Sequence, residues 1–327
     1  VLDYNDMEVD YMVGAQLEGF ETMVHLTKEN EFMVLEGDEY LSSPIDRRPK
    51  FHLYKPNIAL LSGIAWDHIN VFPTFEGYVN QFRIFTDSLT DGGIMVYNEE
   101  DTILKEVVES STHSIKKYEY STPVYQIDDG VTYIDTPDGL MPLEIFGDHN
   151  LQNLAGAKWV CQHMGIDEED FYEAIASFKG ASKRLEKIAE SSETVIYKDF
   201  AHSPSKVKAT TEAVKKQYAQ RDVIACLELH TYSSLNAAFL AEYNGALDKA
   251  DKAVVFYSPH AVKIKQLDSV SEEQISNAFQ RDDLIIFTNP TEFKEFLFSQ
   301  KLDQSAVVLM SSGNYGGLDF EEVKGLV

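Results

Sequence analysis

Glu36, Asp38 and Glu39 follow directly on the apolar run Phe32-Met33-Val34-Leu35, and Asp67 and His68 lie just beyond a second run, Ile58-Ala59-Leu60-Leu61. The pattern predicts two buried strands that end close together, one offering carboxylates and the other an imidazole. A carboxylate beside a neutral imidazole nitrogen suits a divalent cation. In an open parallel sheet, ligands gather beyond the carboxyl ends of the strands. Each half also has an ordinary explanation: strand ends are solvated and often acidic, and a lone histidine usually serves a structural hydrogen bond. Their conjunction at matching strand ends points to a metal and phosphate site.

Four further segments carry chemistry. In Gly147-Asp148-His149-Asn150-Leu151-Gln152-Asn153, Gly147 permits a sharp entry into a helix. Asn150 and Asn153 then share one face of its first turn, with donors and acceptors that match an adenine edge. In Lys179-Gly180-Ala181-Ser182-Lys183-Arg184-Leu185-Glu186 the basic pair suits a phosphate, or a solvated linker. In Lys198-Asp199-Phe200-Ala201-His202-Ser203-Pro204 a strand ends in Asp199, and Ser203-Pro204 opens a helix with Ser as its cap. His202 then stands at a helix N-terminus, where an anion is welcome. A Ser/His/Asp triad is excluded, because the chain has no G-x-S-x-G nucleophile elbow. Finally, Ser311-Ser312-Gly313-Asn314-Tyr315-Gly316-Gly317 is a glycine-rich turn after an apolar run, suited to close approach of backbone to a ligand.

The elements that must position these residues divide into two parts. Up to Phe178 the pattern predicts strands at 31–35, 58–62, 94–97, 115–120, 123–135 and 140–146. Helices are predicted over 75–89, 99–109, 149–164 and 167–178. Asp128-Asp129-Gly130 reads as a hairpin turn. From Lys179 onward, strands at 193–198, 222–229, 252–256, 283–287 and 305–310 alternate with helices near 204–219, 236–247, 271–279 and 290–299. That βαβ rhythm implies a mostly parallel sheet covered by helices on both faces. The expected domains are therefore 1–178 and 179–327, both α/β.

Composition narrows the class. Of 327 residues 44% are hydrophobic, enough for two cores, and the net charge of −26 makes nucleic acid and anionic membrane surfaces poor partners. The two cysteines, Cys161 and Cys226, lack a CxxC or metal-ligand spacing and read as reduced core thiols. No apolar run approaches the roughly 18 residues of a membrane span, and no signal peptide is seen, so a cytoplasmic setting is expected. The opening Val1-Leu2-Asp3-Tyr4 reads as an entry in mid-domain, with part of the protein expected upstream.

Taken in order, the Glu-x-Asp-Glu after a strand, the Asp-His before Ile69-Asn70-Val71-Phe72, the Gly-x-His-Asn-x-x-Asn, the Lys-Arg-Leu-Glu and the Asp-Phe-Ala-His-x-Pro resemble the Mur ligase superfamily. The resemblance covers nearly the whole chain. It implies a central P-loop-type ATPase domain, incomplete at its N-terminus, followed by a C-terminal Rossmann-like domain. It implies an ATP-dependent amide ligase that activates a carboxylate as an acyl phosphate and couples it to an amine, with ATP and Mg2+ as cofactors. Glu36-Gly37-Asp38-Glu39-Tyr40, Asp46-Arg47-Arg48-Pro49-Lys50-Phe51, Tyr54 and Pro56 most resemble the branch that recycles a cell-wall tripeptide. The implied substrates are UDP-N-acetylmuramate and L-Ala-γ-D-Glu-meso-diaminopimelate, with the alanine-adding branch as alternative.

By the same resemblance Glu36, Glu39 and His68 are expected at the metal, and Asn150 and Asn153 at the adenine. Arg184, Asp199 and His202 are expected around the ATP phosphates or the acyl phosphate. Glu228, His230, Ser311 and Asn314 are expected near the incoming peptide. The chain departs from the family pattern in having no Gly-Lys-Thr/Ser phosphate loop, Lys183 where a second arginine is usual, Ser203 where a second histidine is usual, and His230 where the tripeptide branch has arginine. Two other classes stay open: nucleotide or peptide binding without turnover, and a folate-type polyglutamate ligase, against which the Gly-x-His-Asn and Asp-Phe-Ala-His-x-Pro segments weigh.

Overall fold

The structure, a computed structural model, describes residues 1–14, 20 and 22–327. The chain forms two compact units. The first comprises Val1–Gln126, Tyr133–Glu144 and His149–Phe178, and the second Ile127–Thr132, Ile145–Asp148 and Lys179–Val327.

In the first unit, β1 (Asp10–Met12), β2 (Val24–His25) and β3 (Met33–Leu35) form a small sheet in the order β2-β1-β3, with β1 and β3 parallel. The strand expected at 31–35 thus forms, but it is not buried: Met33 and Val34 are 45% and 42% exposed. An apolar run establishes that a strand can pack, and not that it does. A second sheet is built from β4 (Ile58–Leu61), helix α1 (Phe75–Asp87), β5 (Ile94–Asn98), helix α2 (Thr102–Ser110) and β6 (Lys116–Tyr120), its three strands parallel. The Thr74 hydroxyl caps α1 by accepting from Gly77 N. The helix buries Tyr78, Val79, Phe82 and Phe85 against Phe51, Met95, Leu104 and Val108. Helix α2 starts at Thr102 rather than at Glu99, because the Asp101 carboxylate takes the N–H groups of Ile103 and Leu104 and so fixes the first turn.

Strands β7 (Tyr125–Asp128), β8 (Val131–Thr136) and β9 (Gly139–Leu143) follow as a three-stranded meander whose residues are divided between the units. Asp129 and Gly130, at φ 45° and 74°, make its first turn. Helix α3 (Asp148–His163) then lies on the β4-β5-β6 sheet. It can do so because Gly156 has no side chain: a Cβ there would stand 2.8 Å from Leu60 Cδ1 and 3.0 Å from Tyr120 Cζ. Helix α4 (Glu168–Ala176) is capped by Asp167, which accepts from Asp170 N.

The second unit holds β10 (Glu186–Glu190), β11 (Thr194–Asp199), α5 (Pro204–Gln217), β12 (Asp222–Leu229), β13 (Lys252–Tyr257), α6 (Pro259–Ile264), α7 (Glu272–Phe279), β14 (Ile285–Phe287), α8 (Pro290–Ser299), β15 (Ser305–Met310) and α9 (Phe320–Lys324). Its sheet runs β10-β11-β15-β12-β13-β14, parallel except for the antiparallel edge strand β10. Val307, Val308 and Leu309 of the last strand are fully buried, each side chain contributing about 1.5–3 kcal/mol. The expected helix at 236–247 is absent, and only a 3-10 turn over Leu240–Tyr243 forms. Asn236 Oδ1 accepts from Ala238 N at 3.0 Å, and Gly245 turns left-handed at φ 74°. Both are local alternatives to an α-helical backbone.

Candidate functional site

The candidate side chains fall into two groups, one in each unit. In the first unit the stretch from Glu36 to Tyr54 is a folded loop. Lys50 Nζ meets Asp38 Oδ2 at 2.6 Å, Arg48 meets Asp46 at 2.6 Å, and Leu41 pairs with Pro49. The Arg48 guanidinium holds the Asp46 carboxyl down at about 2. With Asp38 occupied by Lys50, Glu39 is the acid presented to His68, its Oε1 standing 3.6 Å from His68 Nε2. The Tyr78 hydroxyl donates to the same Glu39 oxygen at 3.1 Å; burial and then the Glu39 charge push that phenol far above its ordinary range. His68 has φ 56°, a left-handed conformation uncommon for a side-chain-bearing residue, and its N–H is held by Asp67 Oδ1 at 2.7 Å. Strained backbone over-determined by its neighbours is characteristic of functional positions.

Glu36 goes elsewhere: its Oε2 accepts from Gly14 N at 2.7 Å. The structure therefore brings Glu39 and His68 together and gives Glu36 a backbone partner. Among the described residues no group of three or more His, Cys, Asp or Glu side chains is placed to hold a metal ion. Glu39 and His68 nonetheless fit Mg2+ chemistry, because that ion takes one or two protein donors and completes its octahedron with phosphate oxygens and water. Asn150, half-buried, and Asn153, exposed, stand on the first turn of α3. Gln152 between them is turned away to Glu100 Oε2 at 2.7 Å and Thr122 at 3.0 Å.

In the second unit three loops leave the carboxyl ends of neighbouring strands. β15 is inserted between β11 and β12, with Met310 level with both Asp199 and Leu227. The loops after residues 199, 229 and 310 therefore emerge side by side, which is where parallel sheets collect ligands. Asp199 is 4% exposed. Its Oδ2 accepts from Leu185 N and its Oδ1 from Ala201 N, both at 2.6 Å, and Thr210 donates to Oδ1 at 3.3 Å. Asp199 is thus a positioning residue whose carboxylate is spent on backbone. What it positions are the neighbours of Arg184 and His202. Those two side chains share the Phe200 ring, with the guanidinium 5.3 Å from its centre and the imidazole 5.2 Å away, edge to face. His202 Nδ1 donates to Phe200 O at 2.8 Å, which leaves Nε2 as the acceptor nitrogen.

Ser203 departs from its expected role. It occupies the N-cap position of α5 by its backbone, yet its side chain makes no capping bond. It is 4% exposed, and its hydroxyl has no hydrogen-bond partner among the described residues. Ser312 Oγ is likewise buried without a partner. Buried hydroxyls are normally satisfied, so these two mark the loops after β11 and β15 as places where a polar group fits.

Glu228, on β12, is 2% exposed. Its Oε2 accepts from the Ser311 hydroxyl and from Tyr315 N at 2.8 Å, while Oε1 faces His230 Nδ1 at 3.5 Å. Gly313 makes this possible, since a Cβ there would lie 2.8 Å from Glu228 Oε2 and 2.9 Å from His230 Nδ1. Asn314 is exposed and shapes the turn, its Oδ1 accepting from Gly317 N at 3.2 Å.

Sequence reasoning assigned no part in the site to Tyr78, Phe200 or Ser203, while Ser312 and Tyr315 lie in the glycine-rich turn it singled out. The first is a phenol on the apolar face of α1, a signal that periodicity counts as core. Ser203 was hidden by the Pro after it, which reads as capping.

Two family profiles match the chain in order: Mur ligase middle domain over residues 14–161, and Mur ligase, glutamate ligase domain over residues 183–313. UDP-N-acetylmuramate–L-alanine ligase of Caldicellulosiruptor bescii is 28% identical over 75% of this chain and 54% of its own length. The UDP-N-acetylmuramate–L-alanyl-gamma-D-glutamyl-meso-2,6-diaminoheptandioate ligase of Escherichia coli is 24% identical over 100% of this chain and 71% of its own. The chain thus spans between about half and seven-tenths of these relatives. The MurF ligase from Thermotoga maritima in complex with ADP superposes with a TM-score of 0.69 at 18% identity, over 99% of this chain and 74% of its own.

Proposed function

We propose that this chain, which belongs to the Mur ligase superfamily and carries its middle and C-terminal domains, serves an ATP-dependent amide ligase of peptidoglycan synthesis. Residues 1–178 are taken as the central ATP-binding domain and 179–327 as the C-terminal domain. The observation that carries the reading is the ordered pair of family matches, falling on the segments whose spacing suits phosphate and metal chemistry. Glu39 and His68 would hold Mg2+, which would supply charge neutralisation for phosphoryl transfer to the carboxylate. Tyr78 keeps Glu39 in place. Asn150 and Asn153 meet the adenine. Arg184, on its Phe200 platform, meets phosphate, and His202 faces the same anion from the N-terminus of α5. Glu228, His230 and the loop from Ser311 to Asn314 meet the incoming amine.

For the acceptor we propose the murein-peptide reading: UDP-N-acetylmuramate is joined to L-Ala-γ-D-Glu-meso-diaminopimelate, as peptidoglycan recycling in the cytoplasm requires. The resemblance of the run Glu36–Tyr40 with Asp46–Phe51 to the tripeptide-recycling branch supports it. The alanine-adding alternative is supported by the relative from Caldicellulosiruptor bescii, which bears that name. ADP release and product mass, measured on the native protein with UDP-N-acetylmuramate and either acceptor, test both. Stimulation by neither overturns the ligase reading, and stimulation by alanine alone selects the alternative. These 327 residues contain no Gly-Lys-Thr/Ser run, and nucleotide or peptide binding without turnover is the second reading for this stretch by itself. ATP hydrolysis by it overturns that second reading.

A further inference from the structure

Glu228 and His230, placed at the incoming amine by the ligase reading, form a pair whose chemical part in the reaction that reading leaves open. The carboxylate is buried at the end of β12, with one oxygen saturated by the Ser311 hydroxyl and Tyr315 N–H and the other turned to His230 Nδ1 at 3.5 Å. The imidazole is 43% exposed at the side chain. A buried anion facing Nδ1 favours the tautomer with its proton there, and directs Nε2 outward as a base. Glu228 is the charged group that faces the ring. The loop opposite, residues 311–315, carries no ionic side chain, and the Tyr315 hydroxyl is spent on the Cys226 and Met310 carbonyls at 2.7 and 2.9 Å. The ring also abuts Gly313, so the loop after β15 leaves room for it only because that position has no Cβ. Apo catalytic contacts of about this length commonly tighten when substrate binds.

We propose that His230, oriented by Glu228, is the general base that deprotonates the attacking amine in amide formation. This deepens the ligase reading and rests on it. The acceptor arrives as an ammonium and has no lone pair to attack with. One proton passes to His230 Nε2, and the freed nitrogen pair forms the C–N bond at the acyl carbon. The C–O bond to phosphate then breaks with its electron pair leaving on the phosphate oxygen. A second proton of the nitrogen goes to that phosphate, giving amide and hydrogen phosphate, and the imidazolium discharges to solvent. A positioned base of this kind contributes about 10²–10⁴-fold.

The test compares two nucleophiles on the native protein with ATP, Mg2+ and UDP-N-acetylmuramate. Hydroxylamine is largely unprotonated at neutral pH and needs no base; the tripeptide and L-alanine arrive as ammonium ions. If the parent protein forms no hydroxamate, the ligase reading itself falls, and this inference with it. Given hydroxamate, His230→Gln is expected to lower the ratio of amide to hydroxamate about a hundredfold. It is also expected to displace the acid limb in the pH profile of amide formation toward alkaline pH, where the acceptor ammonium loses its proton to solvent unaided. Equal losses on both nucleophiles, or an acid limb in its original place, overturn the proposal. Glu228→Gln provides a second readout, shifting the acid limb while folding is checked by circular dichroism. A limb in its original place means that Glu228 does not act through the ring.

Discussion

Asp199 and Leu185 are joined by a hydrogen bond of 2.6 Å between a buried carboxylate and a backbone N–H, fourteen residues apart. Leu185 has φ 43° and Lys183 φ 59°, so this bond fixes a strained stretch on either side of Arg184. The other carboxylate oxygen holds Ala201 N, next to His202. Asp199→Asn keeps the shape but supplies one acceptor oxygen for two N–H groups. The expected loss is on the order of 2 kcal/mol, the cost of a buried donor left unpaired, read as a lower urea midpoint for unfolding. A midpoint equal to the parent's would show the second oxygen to be dispensable.

The three residues expected at the metal should not be equivalent. His68→Ala and Glu39→Gln are each expected to cut turnover on the order of a hundredfold and to raise the Mg2+ concentration needed for half-maximal rate. Glu36→Gln should do much less, since Glu36 Oε2 is bound to Gly14 N. Magnesium titrations of the three variants decide it. A loss at Glu36 as large as that at Glu39 would place the metal on both acids.

Gly156 admits α3 to its sheet. A methyl there meets Leu60 Cδ1 at 2.8 Å and Tyr120 Cζ at 3.0 Å. Gly156→Ala is therefore expected to destabilise the first unit by about 1–3 kcal/mol, the usual cost of overpacking, and to weaken nucleotide binding through Asn150 and Asn153. Thermal melts with and without ATP read both effects. A more stable variant would mean that Leu60 yields at no cost and that the helix propensity of alanine prevails.

Two histidines of the first unit set an acid limit on stability. Burial lowers the His52 ring below the ordinary imidazole range, despite the Gln81 carbonyl at 2.8 Å. Burial and then Lys116 lower His163, whose Nε2 is buried without a hydrogen-bond partner among the described residues. A depressed imidazole means that the unfolded chain binds the proton more readily. Stability is full above about pH 6.5, where the unfolded ring titrates, and is lost as pH falls through the lower folded values. Melting temperatures between neutral and mildly acidic pH should fall for the parent and fall less for His163→Gln. Parallel curves would remove His163 as a cause.

Phe200 should matter more than its apolar side chain suggests. It supports the Arg184 guanidinium and the His202 ring from one loop. Phe200→Ala is expected to reduce turnover about tenfold or more by loosening both groups, whereas Phe200→Tyr, which keeps the ring, should retain most activity. Equal rates for Ala and Tyr would confine Phe200 to packing.

Much of this protein is written locally. The helical spacing of Phe75, Tyr78, Val79, Phe82 and Phe85, the Asp167 cap and, outside 236–247, the alternation of strand and helix after Lys179 are properties of short windows, and the folded chain obeys them. The ordered motifs, too, were legible, because each is a strand end or a helix start with its own residues. Other features depended on partners far along the chain. The run around Met33 had the apolarity of a buried strand but lies exposed. Asp38 and Glu36 could not be told from Glu39 until Lys50 claimed one and Gly14 the other. The insertion of β15 between β11 and β12, which sets Ser311 against Glu228 across 83 residues, follows from sheet register. Periodicity determines which face of an element is apolar, since that depends on neighbours three or four residues away. Which elements meet is decided by packing and hydrogen-bond satisfaction summed over the whole unit, and only the tertiary structure contains that sum.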